Sequence, residues 1–209
     1  MDFLDFFSPR RCLGCGKKGS YFCSSCIKEI KLLDPQVSLG EHPLDALVSI
    51  FPYEGIIRRA ILKLKYNFVS DLTDELVDLA VNFLQEDFFQ ARVLVPIPLH
   101  WYRKNWRGFN QAEILGKEIA LKLKIDFCPD LLLRTRSTKP QVKLKGKERK
   151  KNVRGAFKLN PKYRILDTEY LLFDDVWTTG ATMKECARVL KKAGVKKVFG
   201  LTLARQEKF

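Results

Sequence analysis

The residues with the types and spacing for chemistry fall into two groups. The first lies in residues 170–185, YLLFDDVWTTGATMKE. Tyr170 to Phe173 form an apolar run, the pattern of a strand buried on both faces. Asp174 and Asp175 stand at its C-terminal end, followed by Thr178, Thr179, Gly180, Ala181 and Thr182. Thr182 with Glu185 makes a capping box, which predicts a helix start there. A small-residue turn feeding a helix gathers backbone N–H groups and the positive dipole end in one place, which is a phosphate site. The hydroxyls of Thr178, Thr179 and Thr182 add donors. Two carboxylates just ahead of a phosphate cradle suggest a sugar phosphate, its ribose hydroxyls bound directly or through a hydrated Mg²⁺. The alternative is a plain strand–loop–helix connection with a surface aspartate pair.

The second group is Cys12, Cys15, Cys23 and Cys26, two C-x₂-C knuckles inside residues 12–26. Four thiolates at this spacing fit one tetrahedral Zn²⁺ in a reducing compartment. With every ligand supplied by protein the site is closed, hence structural. A redox pair or two local disulfides are the alternatives, and they lack a thioredoxin-like strand–helix context. A unit this short cannot bury a core, so metal would be its main source of folding energy. Phe3, Leu4, Phe6, Phe7, Tyr21 and Phe22 are expected to pack around it or dock it on the next domain.

The elements that must hold these groups follow from periodicity. Residues 34–46, with two prolines and a glycine, read as a linker, dividing a zinc unit at 1–34 from a larger domain at 35–209. His42 in that linker is given no role. Residues 46–53 read as a strand ending near an edge at Pro52, and residues 46–70 as part of a hood over the site. A helix over 56–68 follows, with 57, 61 and 64 on one face, then a helix over 71–89 with Leu76, Leu79, Ala80, Phe83 and Leu84 as its buried stripe. Residues 92–98 form a second buried strand, and Asn110 caps a helix bearing Leu115, Ile119 and Leu123. The basic loop between them has the form of a second phosphate site. Its Trp101, Tyr102, Trp106 and Phe109 suit either packing over the site or stacking on single-stranded nucleic acid, and His100 stands alone. Residues 134–158 hold eleven Lys or Arg against one Glu and read as an extended or mobile loop. A helix from Met183 to Ala193, stopped by Gly194, and a strand over 197–204 complete a parallel crossover.

FDDVWTTGAT resembles the PRPP-binding signature of type I phosphoribosyltransferases. Three further segments narrow the resemblance to the ComF (ComFC) competence family: Tyr53, Gly55, Lys63, Lys65 and Tyr66; VPIPLHWYRKNWRGFNQAE; and Arg134, Gln141, Leu144, Arg149, Asn152, Gly155, Ala156 and Phe157. The resemblance implies an α/β fold, a type I phosphoribosyltransferase-like parallel sheet flanked by helices with a small N-terminal zinc-binding domain. It implies that Asp174 and Asp175 hold the ribose, and that Thr178, Thr179, Gly180, Ala181 and Thr182 hold the 5′-phosphate of PRPP. Arg103, Arg107 and Gly108 lie where the family's pyrophosphate contacts fall. Lys65 is weighed between a solvated helix face and a substrate-facing role. Arg149 lies in a loop whose place matches the one that closes over PRPP. The same loop reads as a polyanion arm in which Lys143, Lys145, Lys147, Lys150 and Lys151 meet DNA phosphates. The family further implies handling of single-stranded DNA during natural transformation, with a competence helicase and other DNA-processing proteins as partners.

Whether the chain is an enzyme stays open between a ligand sensor, a phosphoribosyltransferase with an unidentified acceptor, and a DNA-binding module that has lost catalysis. A net charge of +14 predicts attraction to polyanions without choosing among them. No apolar run is long enough to span a membrane, and the N-terminal residues lack a secretory pattern, so a cytoplasmic protein is expected.

Overall fold

The computed structural model describes residues 10–33, 42–66, 70–84, 91–99, 108–136 and 152–206. After a short helix α1 (Ser24–Lys28), the chain runs β1 (Ala46–Pro52), α2 (Gly55–Tyr66), α3 (Ser70–Val81), β2 (Val93–Pro96), α4 (Gln111–Leu123), β3 (Asp126–Phe127), β4 (Leu132–Arg134), β5 (Phe157–Leu159), β6 (Tyr170–Trp177), α5 (Ala181–Lys192) and β7 (Val198–Arg205). Five strands make one parallel sheet in the order β1-β7-β6-β2-β3, and β4 and β5 form a separate antiparallel ribbon.

The sheet is covered on both faces, as parallel sheets require. On one face, Ile57, Ala60, Ile61 and Leu64 of α2, Leu72, Leu76 and Ala80 of α3, and Leu115 and Ile119 of α4 meet Leu171 and Phe173. Gly116 lets α4 approach closely, since a Cβ there would lie 3.0 Å from Leu94 and 3.2 Å from Phe173. On the other face, Met183, Cys186, Ala187 and Leu190 of α5 join Leu132 and Phe157 of the ribbon against Tyr170 and Leu172. Cys186 is fully buried and acts as an apolar filler, its thiol pushed well up by burial. Gly194, at φ 97°, ends α5 as expected, with Val195 N–H bonded to the Leu190 carbonyl.

Several elements differ from the sequence expectation. β1 is the sheet's edge strand and every residue of it is buried, so residues 46–52 are sheet and not part of a hood over the site. α3 ends at Val81, and Phe83 lies beyond it, 37% exposed, edge-on to Phe51. β6 does not stop at Phe173: pairing with β7 carries it through both aspartates to Trp177, with Asp174 opposite Thr202 and Trp177 opposite Arg205. α5 begins at Ala181, one residue before the anticipated capping threonine, with Gly180 as N-cap at φ 66° and no side-chain cap bond. Glu185 is buried instead, accepting the Gly155 N–H at 2.8 Å and pairing with Arg188. The capping-box pattern fails because Glu185 has a tertiary partner from the β5 approach. The ends of the 134–158 stretch are ordered as well, Arg134 standing opposite Phe157 in the ribbon. Among the described residues, no helix is long and apolar enough to cross a membrane.

Candidate functional site

Asp174 and Asp175 are consecutive on a strand, so their side chains leave it on opposite faces. Asp175 points to the α2 side, where its Oδ2 lies 2.9 Å from Lys65 Nζ. Burial alone would push the Lys65 ammonium down. The facing Asp175 carboxylate, helped by Tyr53 and Asp174, outweighs that and raises it. Lys65 is thus held by Asp175 and does not lie on a solvated helix face. It is positioned from beneath: Gln111 donates to the Ile61 carbonyl one turn earlier in α2 (3.3 Å). The adjacent Asn110 donates to the Ile97 carbonyl at 3.2 Å and accepts from Ala112 N–H, tying the exit of β2 to the start of α4. The F-N-Q part of the loop motif is therefore structural, and its Gly108 turns at φ 79°.

Asp174 faces the other side. It lines one small cavity with Val176, Thr178, Thr179, Thr182 and Thr202, so the structure brings one carboxylate and the threonine turn together. Its Oδ1 accepts the Asp175 N–H at 2.9 Å. Burial first, and the Asp175 charge second, push its carboxyl up to about 7, against the opposing pull of that hydrogen bond, Lys65 and Arg134. Arg134 comes from the ribbon and stacks over Phe157. The family resemblance includes Arg134 without placing it beside Asp174, because that approach depends on the docking of β4–β5.

The turn itself is shaped by Trp177. The indole is buried at the end of β6, and a Cβ on Gly180 would fall 2.1 Å from it. Positive φ and this contact each demand glycine at 180. Lys184 Nζ lies 5.6 Å above the same indole. Ala181 N–H points toward Thr179 Oγ1 at 3.5 Å, and the opening turn of α5 directs its dipole at the cavity. Arg103, Arg107, Arg149, Lys143, Lys145, Lys147, Lys150 and Lys151 lie outside the described residues, as do Trp101, Tyr102, Trp106 and His100.

The cysteine group converges as its spacing anticipates. The four thiol sulfurs of Cys12, Cys15, Cys23 and Cys26 lie within 4.8 Å of one another. Gly14 passes so close that a Cβ would sit 2.5 Å from Cys26 Sγ. The donor set fits Zn²⁺ on chemical grounds too. Burial opposes a Cys12 thiolate, yet hydrogen bonds from Cys23, Cys15 and Gly14 N–H groups bring it down to about 6. Cys26 is pushed up to about 12, mainly by the sulfurs of Cys23 and Cys12. Like-charged thiolates resist one another at this distance, and a bound divalent cation is what would let all four ionise. The unit is docked: Tyr21 and Phe22 are buried with Ile56 and Ile57, and Glu75 Oε2 of α3 accepts the Tyr21 and Phe22 N–H groups at 2.8 and 3.0 Å. Phe3, Leu4, Phe6 and Phe7 lie outside the described residues.

A parallel sheet with helices on both faces, a carboxylate strand running into a helix start and a Cys₄ cluster together define an α/β protein whose aspartates and threonine turn lie at the ends of its sheet strands. No protein-family model matches the chain. It is 31% identical over 202 residues to competence protein F of Haemophilus influenzae, covering 93% of this chain and 84% of that protein. It is 30% identical over 195 residues to the DNA utilization protein YhgH of Escherichia coli K12, covering 82% and 83% respectively. Competence protein ComFC of Bacillus subtilis is 28% identical over 167 residues, 75% of this chain and 63% of that one. The chain belongs to the competence protein F family. Among solved structures, adenine phosphoribosyl transferase of Trypanosoma brucei aligns at TM-score 0.46 and 10% identity over 85% of this chain and 87% of that one. A hypoxanthine phosphoribosyltransferase of Staphylococcus aureus aligns at 0.39 and 13% over 69% and 71%.

Proposed function

We propose that this chain is a competence-type DNA-handling protein with a PRPP site at the ends of its sheet strands. The observation that carries the ligand reading is the shared cavity of Asp174 and the Thr178–Thr182 turn, backed by the Lys65–Asp175 pair on the opposite face of the same strand. In this reading the amides and hydroxyls of residues 178–182 hold the 5′-phosphate, and Asp174 and Asp175 accept from the ribose hydroxyls. Lys65, with Arg103, Arg107, Gly108 and Arg149, faces the pyrophosphate end. Mg²⁺ bound with PRPP would screen its phosphates. The DNA side of the proposal is supported by the names of the H. influenzae and E. coli relatives and by the net charge of +14. It assigns single-strand phosphate contacts to Lys143, Lys145, Lys147, Lys150 and Lys151, and DNA-processing proteins as partners. Zn²⁺ on the four cysteines is structural.

If transfer occurs, the acceptor forms its bond to C1′ as the bond from C1′ to pyrophosphate breaks. Lys65 would stabilise charge gathering on the leaving group, and the aspartates would fix the ribose. The test is calorimetric titration of Mg²⁺-PRPP into zinc-loaded protein, with Asp174→Asn/Asp175→Asn as control. Saturable binding that disappears in the double variant is expected. Absence of binding to the parent protein overturns the ligand reading.

A further inference from the structure

A second cavity, of about 550 Å³, opens beside the threonine turn, on the solvent side of α5. Its charged lining comes from Arg154, Lys184, Arg188 and Lys192, with exposed His42 at the rim and Glu185 below. Glu185 is buried, holds the Gly155 N–H at 2.8 Å and pairs with Arg188, so the lining sets four cations against one carboxylate. Lys184, Arg188 and Lys192 recur every four residues, so they form one row of about 12 Å along the helix axis. The opposite face of α5 is sealed by Met183, Cys186, Ala187 and Leu190, which commits the row to this side. The neighbouring Lys191 stands apart, engaged by Asp45 at 2.6 Å.

We infer that this cleft is a track for the sugar–phosphate backbone of a nucleic acid strand, separate from the PRPP cavity and adjoining it at Ala181. The row is longer than a phosphate or pyrophosphate, and cations repeated about 6 Å apart match a ligand with repeated negative charge. The lining is concave, which suits a strand better than a flat anionic membrane surface. It offers no aromatic ring among the described residues, so bases find no stacking platform and recognition is through phosphates, independent of sequence. Arg136 donates to the Asn152 and Arg154 carbonyls (3.2 and 2.7 Å) and so ties together the two points that flank residues 137–151. The described chain therefore ends at residue 136 and resumes at residue 152 beside the cleft's Arg154. This inference rests on the DNA-handling reading and not on the PRPP one.

The experiment is a salt titration of fluorescent homothymidine and homoadenine oligonucleotides against the full zinc-loaded chain. The variants are Arg154→Gln/Lys192→Gln and Lys143→Gln/Lys145→Gln/Lys147→Gln, with melting curves to confirm folding. Loss of two phosphate contacts predicts about tenfold weaker binding at moderate salt for both oligonucleotides. The slope of log K against log salt should fall by about 1.4. Lys192→Gln alone, at an exposed position in the last turn of α5, should give about half that slope change and guards against misfolding of the pair. Calorimetric Mg²⁺-PRPP binding should be unchanged in the cleft variants. Unaltered affinity and slope in those variants, with binding lost only in the 143–147 variant, overturns the cleft assignment and leaves the DNA reading standing. An unmodified chain that binds neither oligonucleotide overturns both.

Discussion

The two sites are built by opposite strategies. The cysteine unit is local in sequence: its ligands fall within residues 12–26, and its one helix, α1, has no buried residue. The threonine-turn cavity is assembled from a strand deep in the sheet and a helix packed on it, with Lys65 and Arg134 arriving from distant parts of the chain. The first would draw its folding energy from a bound cation, because close thiolates repel until one joins them. The second is held by the core and stands ready without one. Local sites are therefore plain in sequence spacing and fragile in isolation, whereas tertiary sites are harder to read and more robust.

Metal removal should give the largest effect and break the comparison most directly. A high-affinity chelator, or Cys23→Ser/Cys26→Ser, should abolish zinc content by elemental analysis. The loss is on the order of 10 kcal/mol of metal-linked folding energy. The unit should become protease-sensitive around Tyr21 and Phe22 while the sheet keeps its far-ultraviolet signature. Collapse of the sheet together with the metal would show the two regions to be one cooperative unit. Glu75→Gln sharpens the point, since Glu75 holds the backbone just before Cys23. It should weaken zinc retention in a chelator competition with no change at the sheet site.

Next in size is Lys65→Met, which leaves Asp175 charged and buried with its cation gone. A cost of about 3 kcal/mol is expected in denaturant unfolding. Most of it should return in Lys65→Met/Asp175→Asn, which no longer buries an unpaired charge. If the single variant is as stable as the parent, the pair is not what organises this face of the site. Gly180→Ala follows at about 2 kcal/mol, from strained positive φ and the indole contact. Gly180→Ala/Trp177→Leu should relieve the contact and keep the backbone strain, so the two causes separate in the melting temperatures.

The legibility of the molecule follows the same division. The cysteine knuckles, the buried strands and the cradle residues all come from patterns within about a dozen consecutive positions. The parallel crossover of β6, α5 and β7 was readable because Tyr170–Phe173, the α5 stripe and Gly194 each carry a local signal. The errors came where a distant partner decides the outcome. Glu185 has a capping residue's spacing but is claimed by Gly155 N–H. Pro52 marks β1 as lying near an edge, which it does, but the pattern does not show that the edge is that of the main sheet, not that of a hood. The spacing of the aspartate pair does not show that strand geometry points Asp175 at Lys65 and Asp174 into the threonine-turn cavity. The cleft along α5 escaped notice because its cations belong to a helix read only for its buried face.

The remaining prediction ties the cavity's electrostatics to its chemistry. Asp174 sits at about 7, well above its ordinary value of 3.8. A carboxyl raised on folding holds its proton more tightly in the native state. Its contribution to stability is complete below the unfolded value and is lost as pH rises through the folded one. The ligand-free melting temperature should therefore fall between about pH 4 and 7, and Asp174→Asn should flatten that fall. Ligand binding runs the other way, because ribose hydroxyls and a Mg²⁺-bound pyrophosphate favour the carboxylate. Affinity for Mg²⁺-PRPP should climb by up to about tenfold per pH unit below 7 and level off above it. The ligand's own phosphates titrate nearby, so the informative quantity is the difference between the parent and Asp174→Asn at each pH. A constant difference across that range would mean that Asp174 is ionised throughout. The desolvated environment that the fold builds around it would then be relieved by water. A difference that opens with pH means instead that the ready-made site stores destabilisation in the free protein and releases it on binding.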